Sequence, residues 1–279
     1  MKAAVLGSPI AHSLSPVLHR AAYCALGLDD WTYSLVECDS AGLAGFVSGL
    51  DASWAGLSLT MPLKRTVLPL LDRCDPVAMA TGGVNTVAFR NGDRYGYNTD
   101  VRGIVDALAE AGAPRPGSVT IIGGGATACS ALAAIRELGA QQADVVARDP
   151  SRATGLAQAA DRLGVPIRLR DFASLTPASA DVAPDLVIST VPAGAADPYA
   201  AWIRSTGIAP AAVMDVVYHP WPTELAAAAA AAGSVLASGF AMLLHQAAAQ
   251  VELMTGKAAP VRAMRAAGEA ELARRAASS

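Results

Sequence analysis

Several short apolar runs in the sequence end in polar side chains that could bind or transform a small polar molecule. Ser13 and Ser15 lie two residues apart in the loop that follows the apolar run AAVLG, where a turn alone would need fewer such residues. Both hydroxyls could serve a ligand that carries several oxygen atoms. Lys64 ends the segment LTMPLK. A lysine ammonium at such a place can donate a proton and stabilise negative charge that develops on an oxygen.

Asn85 and Asp100 add an amide and a carboxylate to this set. Asn85 lies in GGVNT, and Asp100 ends YNTD. Taken singly, Asn85 could be a turn residue and Asp100 the N-cap of the helix that follows it. However, the loops after parallel strands open at the carboxyl edge of the sheet, where open α/β sheets bind ligands. We therefore expect these two residues and Lys64 to meet the two serines at that edge.

A glycine-rich motif, GGGATA at 123–128, lies between the apolar run VTII and a helical pattern. It matches the dinucleotide-binding pattern Gly-x-Gly-x-x-Ala, in which the helix N-terminus faces the phosphate charge. Gly123 would permit the tight turn, Gly125 would let a pyrophosphate approach the backbone, and Ala128 would let the helix pack closely on the strand. The alternative is a flexible turn, but the strand and helix on either side favour a nucleotide site.

The residues after the next strand indicate which nucleotide is bound. In NAD sites an acidic residue at the end of this strand binds the ribose 2′-hydroxyl, whereas in NADP sites an arginine contacts the 2′-phosphate. Here Arg148 and Arg152 follow the run DVVA, and two arginines can flank a dianion. Asp149 could instead accept a ribose hydroxyl, or it could cap the helix that begins at Pro150. The two arginines favour NADP(H) as the cofactor.

The composition is that of a globular protein with ample material for a core. The chain has 279 residues, of which 53% are hydrophobic and 16% charged, with a net charge of −3. That length predicts two domains. The sequence has no long basic run, no apolar stretch of the ~18 residues that a membrane span needs, and no CxxC pair among its cysteines. We expect a cytoplasmic protein without a bound metal, and neither nucleic acid nor a membrane as a partner.

Short apolar runs alternate with helical patterns along the chain, which predicts an α/β fold with parallel strands and helical crossovers. In the first part the predicted strands are 3–7, 32–38 and 55–60, the predicted helices are 16–27, 40–50 and 100–112, and a hairpin joins 85–89 to 94–98 through Asn91-Gly92. Ser40 is expected to be the N-cap of its helix. In the second part the predicted elements are two strand–turn–helix segments (119–140 and 144–164), the strands 185–190 and 211–217, and the helix 223–233.

The segment APRPG, at 113–117, separates these two blocks and indicates a domain boundary. The two closing helices, about 239–256 and 260–276, are apolar enough to need a partner, and we expect them to pack back on the first domain. The prediction is therefore a substrate-binding domain of residues 1–100 plus 239–279 and a Rossmann dinucleotide-binding domain of residues 101–238.

Eight motifs in order give the chain a resemblance to the shikimate dehydrogenase family over essentially its whole length. They are GSPIAHSLSP, LTMPLK, GGVNT, YNTD, GGGATA, ARDPSR, DVVYHPWPTEL and GFAMLLHQA. The resemblance implies an open α/β substrate domain joined to a Rossmann-type NADP-binding domain. It implies reduction of 3-dehydroshikimate to shikimate with NADPH, in the pathway to the aromatic amino acids. We expect the protein to be a monomer or a homodimer.

The resemblance also implies roles for individual residues. Lys64 and Asp100 correspond to the catalytic pair, and Ser13 and Ser15 to hydroxyls that bind the substrate carboxylate. The other implied substrate contacts are Thr60, Asn85, Tyr218 and Gln246. The implied cofactor-binding residues are Gly123, Gly124, Gly125, Ala126, Thr127, Arg148 and Arg152, with Gly239 and Met242 in the nicotinamide pocket.

Three positions depart from the family pattern and leave alternatives open. Ser58 replaces a frequent asparagine and would shorten a donor to a ring hydroxyl, whereas Gly124 replaces an alanine with little expected consequence. Ala147 and Asp149 replace the usual polar neighbours of the first arginine. The changes at Ser58 and Asp149 leave open an NAD-dependent quinate/shikimate dehydrogenase. A non-catalytic metabolite sensor is a further alternative, which the presence of both catalytic residues disfavours.

Overall fold

A computed structural model of the chain describes residues 1–175 and 183–277. The chain divides into two compact units, one made of Met1–Thr99 with Leu243–Ser279 and the other of Asp100–Met242. Residues 100 and 239–242, which the sequence assigns to the first domain, fall in the second unit instead. Within the described ranges, no helix is long and apolar enough to cross a membrane, and no group of three His, Cys, Asp or Glu side chains could hold a metal ion.

In the described part of the chain, the first unit is built around a six-stranded mixed sheet. Its strands are β1 (Lys2–Gly7), β2 (Thr32–Glu37), β3 (Trp54–Leu59), β4 (Arg73–Cys74), β5 (Thr86–Arg90) and β6 (Asp93–Tyr97), in the spatial order β2-β1-β3-β5-β6-β4. β1 pairs in parallel with both β2 and β3, so the carboxyl ends of these strands open at one edge. After its first residue, each of β1 and β3 is buried throughout, as its apolar run predicts.

β5 and β6 form an antiparallel hairpin around Asn91-Gly92. Asn91 has a φ of 53° and Gly92 a φ of 88°, which are the left-handed conformations that a two-residue type I′ turn needs. The predicted hairpin is therefore confirmed. Asn85 lies immediately before β5, and its carbonyl accepts the Leu59 N–H at 2.7 Å. This bond places Asn85 beside the end of β3.

The helices among these strands are α1 (Ser15–Ala25), α2 (Leu43–Ser48), α3 (Leu63–Thr66) and α4 (Pro76–Thr81). The prediction that Ser40 caps α2 is wrong. The Asp39 carboxylate accepts the Gly42 N–H at 2.8 Å and holds the chain in a turn, so the helix begins later than its sequence pattern suggests. The Ser40 hydroxyl instead lies 3.1 Å from Thr66 Oγ1.

Over the residues that the structure describes, the second unit forms a six-stranded parallel sheet with helical crossovers. In chain order its elements are α5 (Asp100–Glu110), β7 (Val119–Ile122), α6 (Ala126–Glu137), β8 (Ala143–Val146), α7 (Thr154–Leu163), β9 (Ile167–Arg170), β10 (Leu186–Ser189), α8 (Asp197–Thr206), β11 (Ala212–Asp215), α9 (Glu224–Ala231) and β12 (Val235–Ser238). The strand order β12-β11-β10-β7-β8-β9 is that of a Rossmann fold, with β7 at the point where the order reverses. The predicted Rossmann architecture is confirmed.

The two outer strands of this sheet, β9 and β12, are absent from the prediction. β9 reads IRLR, and each of its residues is exposed or half-buried. β12 reads VLAS, of which only Ala237 is fully buried. Neither strand carries the continuous apolar run that identified the central strands, because an outer strand buries less of its surface than a central one.

The chain returns to the first unit through α10 (Gly239–Thr255) and α11 (Val261–Ala276). α10 begins in the second unit and enters the first at Leu243. α11 packs against α1, and Arg275 Nη1 donates to the His12 carbonyl at 2.6 Å. The expected return of the carboxyl-terminal helices to the first domain is confirmed.

Candidate active site

The loop after β1 carries both predicted serines at the start of α1. The Ser13 N–H donates to the Ile10 carbonyl at 2.9 Å, and the Ser13 Oγ accepts the Ser15 N–H at 3.2 Å. Ser15 is the first residue of α1 and is 5% exposed, whereas Ser13 is half-buried. One hydroxyl therefore orders the loop that presents the other.

The segment that leaves β3 carries Thr60 and Lys64. The Thr60 N–H donates to the backbone of β1 at 2.9 Å, which holds this segment beside the serine loop. A Cβ on Gly7, the last residue of β1, would lie 2.4 Å from Thr60 Cγ2, so glycine is needed for this close approach. Lys64 lies in α3, and its carbonyl accepts the Val84 N–H at 2.8 Å. This backbone bond brings the lysine segment next to Asn85.

Asn85, Thr99 and Gln246 form a buried amide cluster. Asn85 Nδ2 donates to Thr99 Oγ1 at 2.9 Å and to Gln246 Oε1 at 3.3 Å. Asn85 Oδ1 accepts the Thr99 N–H at 2.8 Å, and because a backbone N–H can only donate, this bond fixes which end of the amide is oxygen. Asn85 is 2% exposed and Gln246 is 7% exposed. The structure thus brings together two predicted substrate contacts that are far apart in the sequence.

Ser58, where the resemblance expects asparagine, points into the protein. Its hydroxyl accepts a hydrogen bond from Tyr33 Oη at 2.7 Å and donates to Gln250 Oε1 at 2.8 Å. The expectation that this residue acts as a shortened donor to a ligand is wrong, because its one proton is given to Gln250. Sequence patterns did not identify Tyr33 or Gln250. Gln250 lies four residues after Gln246 in α10, and this helical spacing was the available signal.

The glycine-rich loop of the second unit joins β7 to α6. Gly123 has a φ of 116°, and a Cβ there would lie 2.4 Å from Thr190 Oγ1, so the tight turn requires glycine. Gly125 is the N-cap of α6, and a Cβ on it would meet nothing within 4 Å. The replacement of alanine by Gly124 matters more than expected, because a Cβ at this position would lie 3.1 Å from Ala153 Cβ. The segment after β8 therefore packs against the glycine loop.

That segment contains the residues expected to choose the nucleotide. Asp149 Oδ1 accepts the Ser151 N–H at 3.1 Å and the Ser151 hydroxyl at 2.6 Å, and thereby caps a 3₁₀ helix at Pro150–Arg152. The capping alternative for Asp149 is confirmed. Arg148 and Arg152 are exposed on this segment. The Asp149 carboxylate is thus engaged by Ser151, and the assignment of the two arginines to the 2′-phosphate of NADP stays a prediction.

The remaining predicted site residues lie in the second unit: Ala126 and Thr127 are the first two residues of α6, and the others are Asp100, Tyr218, Gly239 and Met242. Asp100 is the first residue of α5 and is 4% exposed. It is therefore inside the first helical turn, where the helix N-terminus favours a carboxylate. Tyr218 lies half-buried in the loop after β11, and Gly239 and Met242 lie in the first turn of α10.

Asp215, which the sequence did not single out, holds the loop that carries Tyr218. Asp215 Oδ1 accepts the Val217 N–H at 3.1 Å, and Oδ2 accepts the Thr223 hydroxyl at 2.8 Å. Burial raises the pKa of the Asp215 carboxyl, an effect that these hydrogen bonds oppose. An acidic residue inside the otherwise apolar run AAVMDVV was the signal that could have identified it.

Two protein-family models match the two ends of the chain. The model described as "Shikimate dehydrogenase substrate binding domain" matches residues 5–87, a range that includes the serine loop, Lys64 and Asn85. The model described as "Shikimate 5'-dehydrogenase C-terminal domain" matches residues 239–267, which include Gln246 and Gln250.

The chain is also similar to known proteins over nearly its whole length. A protein named Shikimate dehydrogenase (NADP(+)), from Citrifermentans bemidjiense, is 39% identical over 264 residues, which cover 92% of this chain and 91% of the relative. The crystal structure of Mycobacterium tuberculosis shikimate dehydrogenase is 43% identical with a TM-score of 0.84, and covers 96% of this chain and 99% of that one. Shikimate 5-dehydrogenase from Thermus thermophilus, in complex with NADP(H) and shikimate, is 31% identical with a TM-score of 0.82, and covers 97% of this chain and 99% of that one.

Proposed function

The chain belongs to the shikimate dehydrogenase family, and on that premise we propose that it is an NADP-dependent oxidoreductase that interconverts 3-dehydroshikimate and shikimate. The observation that carries this proposal is its similarity, over more than nine-tenths of its length, to a relative that bears this name and this cofactor. The reaction belongs to the pathway that leads to the aromatic amino acids. In this proposal the first unit binds the polyhydroxy acid and the second unit binds the dinucleotide.

The first unit supports this proposal with donors suited to a polyhydroxy acid. Ser13 and Ser15 share one ordered loop, and we assign them to the substrate carboxylate. Asn85 and Gln246 belong to the buried amide cluster, whose orientation is set by bonds inside the protein. Donors that are already oriented lose little freedom on binding, so they can select among ring hydroxyls. The further substrate contacts that we propose are Thr60 and Tyr218.

We assign the proton chemistry to Lys64 and Asp100. NADP(H), when bound, supplies or accepts the hydride. In the direction of reduction, the Lys64 ammonium stabilises the negative charge that develops on the ring oxygen and donates a proton to it. Asp100 supplies the carboxylate that takes up or returns the proton. In the opposite direction the same two groups remove the proton from the ring hydroxyl.

The second unit supports NADP(H) rather than NAD(H). Asp149, the residue that favoured NAD, accepts two hydrogen bonds from Ser151 and is therefore committed to its own turn. We assign the 2′-phosphate to Arg148 and Arg152, which are both exposed. The residues proposed for the pyrophosphate are Gly123, Gly124, Gly125, Ala126 and Thr127, at the start of α6. Those proposed for the nicotinamide are Gly239 and Met242.

We place the enzyme in the cytoplasm, as a monomer or a homodimer. Its cysteines, all within the described residues, are free thiols, which suits a reducing compartment.

An assay of the purified protein with shikimate or quinate, and with NADP⁺ or NAD⁺, tests the proposed function. Formation of reduced nicotinamide is followed by its absorbance. We expect the highest kcat/KM for the pair of shikimate and NADP⁺. A higher value with NAD⁺ or with quinate would favour the quinate/shikimate alternative, and the absence of turnover with every pair would contradict the assignment as a dehydrogenase.

A further inference from the structure

A continuous series of buried hydrogen bonds runs through the first unit from Tyr33 to Asn85. We call the four side chains that precede Asn85 in this series the buried relay; they are Tyr33 on β2, Ser58 on β3, Gln250 on α10 and Thr86 on β5. The Tyr33 hydroxyl donates to Ser58 Oγ at 2.7 Å. Ser58 Oγ in turn donates to Gln250 Oε1 at 2.8 Å.

Gln250 carries the relay to the amide cluster. Its Nε2 donates to Thr86 Oγ1 at 3.0 Å and to the Asn85 carbonyl at 3.3 Å. Thr86 Oγ1 donates to Asn85 Oδ1 at 2.8 Å. Both ends of the Gln250 amide are therefore hydrogen-bonded. Tyr33 and Gln250 are each only 1% exposed.

The donor in each of these bonds is determined by its neighbours. Ser58 has one hydroxyl proton and gives it to Gln250 Oε1, so the NH₂ group of Gln250 must point to Thr86. Thr86 accepts from Gln250 and gives its own proton to Asn85 Oδ1. The relay thus acts on the same Asn85 oxygen that accepts the Thr99 N–H, and it leaves Asn85 Nδ2 as the donor end of the amide.

We propose that Tyr33 and Gln250 are positioning residues of the enzyme, which hold the Asn85 amide in the orientation that binds the substrate. This inference rests on the proposed function, in which Asn85 contacts the acid. Neither Tyr33 nor Gln250 contacts substrate in this proposal. They act by fixing donors in advance, which lowers the entropy lost on binding and hence the KM.

Packing of the core does not by itself require the relay. Tyr23 is another buried tyrosine of the same core, and its ring lies 6.5 Å from that of Tyr33. Among the described residues, the Tyr23 hydroxyl has no hydrogen-bond partner. This core thus holds one tyrosine through its ring alone, whereas Tyr33 donates to Ser58 and the other three members of the relay are hydrogen-bonded on both sides. Because burying each of these polar groups carries a desolvation cost, their shared direction toward Asn85 indicates a role beyond packing.

The first test compares Tyr33→Phe with Tyr23→Phe. Tyr33→Phe removes the hydroxyl of the relay and keeps the ring, which stacks on His19 with a centroid separation of 3.9 Å. We expect the KM for shikimate to rise about fivefold to tenfold, as for the loss of one hydrogen bond, with the KM for NADP⁺ unchanged. Tyr23→Phe removes a hydroxyl that has no hydrogen-bond partner among the described residues, and it should leave both constants unchanged. A purely structural role for Tyr33 would lower the Tm and leave the KM for shikimate as it is.

The second test uses the pH profile of Gln250→Glu. An ionised carboxylate accepts from Ser58 but cannot donate to Thr86, whereas the neutral acid can do both. Burial favours the neutral acid, and Tyr33, the titratable member of the relay, stays protonated because burial raises its pKa. We expect the KM for shikimate of Gln250→Glu to approach that of the wild type as the pH is lowered from about 9 to about 6. Gln250→Leu should keep a raised KM at every pH.

The outcomes separate this inference from the proposed function. A wild type that does not turn over shikimate with NADP⁺ would overturn both. An active wild type, with the KM of Tyr33→Phe within twofold of its own, would overturn the positioning role alone, and so would a Gln250→Glu profile parallel to that of the wild type. Because Tyr33→Phe preserves the ring and its packing, it remains decisive even if the Gln250 variants fail to fold.

Discussion

At the scale of single residues, His19 links the serine loop to the stability of the first unit. His19 Nδ1 lies 2.9 Å from the Ser15 carbonyl, and because a carbonyl only accepts, Nδ1 carries the proton. Nε2 is then unprotonated, and it has no hydrogen-bond partner among the residues described. The residue is 0% exposed, and burial lowers the pKa of His19 from 6.5 to about 4. Its neutral form is the one that the fold accommodates.

This burial predicts a loss of stability in mild acid. Between pH 6.5 and about 4, the unfolded chain binds a proton at His19 that the folded chain does not, so the free energy of unfolding falls as the pH is lowered through this window. The full effect corresponds to about 3 kcal/mol. Urea unfolding at pH 7 and at pH 4.5 gives the free energy of unfolding of the wild type and of His19→Phe. The value for the wild type should fall relative to that for His19→Phe at the lower pH. A constant difference between the two proteins would contradict this assignment.

Lys64 carries the sharpest prediction about chemistry. Lys64→Ala should lower kcat by ~10²–10⁴-fold, the usual effect of losing a general acid, while the KM for shikimate changes much less. Lys2→Ala is the control, since Lys2 lies at the opposite, amino end of β1. Steady-state kinetics of both variants with shikimate and NADP⁺ make the comparison. A kcat within a few-fold of wild type would remove Lys64 from the proton chemistry.

At the scale of elements, the approach of β1 to the segment after β3 depends on Gly7. A Cβ there would lie 2.4 Å from Thr60 Cγ2 and 2.9 Å from the Met61 carbonyl oxygen. Gly7→Ala should therefore destabilise the protein by about 1–3 kcal/mol and raise the KM for shikimate, because the serine loop and Thr60 must move apart. In Gly45→Ala the new Cβ meets nothing within 4 Å, so this variant should be neutral or slightly stabilising. Equal unfolding midpoints for the two variants would show that the strand ends are not held this tightly.

The sequence could predict those elements whose environment is uniform along their length. β1 and β3 are buried from their second residue onward, and their apolar runs were recognisable for that reason. The outer strands β9 and β12 face solvent over much of their surface, so no such run marks them. The predicted start of α2 was too early. Ser40 was chosen as the N-cap by residue type, but the side chain that accepts a backbone N–H before the helix is that of Asp39.

At the scale of the whole molecule, preference between the two nicotinamide cofactors distinguishes this enzyme from its nearest alternative. Removing both Arg148 and Arg152 should weaken binding of NADPH far more than that of NADH, since each arginine contributes a charge-assisted contact to the 2′-phosphate. Arg115→Ala is a suitable control, because that exposed residue precedes β7 and so lies toward the opposite edge of the sheet. Dissociation constants for both cofactors measure the effect. Equal weakening of NADPH and NADH would contradict the arginine assignment.

The motifs of the site were visible in the sequence, but the bonds that orient them were not. Ser15 and Asn85 each stood out by residue type and by place beside an apolar run. The side chains that orient Asn85 did not, because Tyr33 and Ser58 are 25 residues apart and Ser58 and Gln250 are 192 apart. The periodicity of apolar residues in a sequence gives no information on contacts between residues so far apart. Only the return of α10 to the first unit brings these residues into contact.

That return also sets the order in which the polypeptide can fold as it leaves the ribosome. The second unit is one continuous stretch, Asp100–Met242, and can form as soon as it has been synthesised. The first unit is begun by the earliest residues to emerge, yet β3 and β5 lack Gln250 until almost the whole chain has been made. During translation the sheet of the first unit therefore stays incomplete until α10 has been synthesised, which is after the second unit. The first unit can reach its native hydrogen bonding only at that late stage.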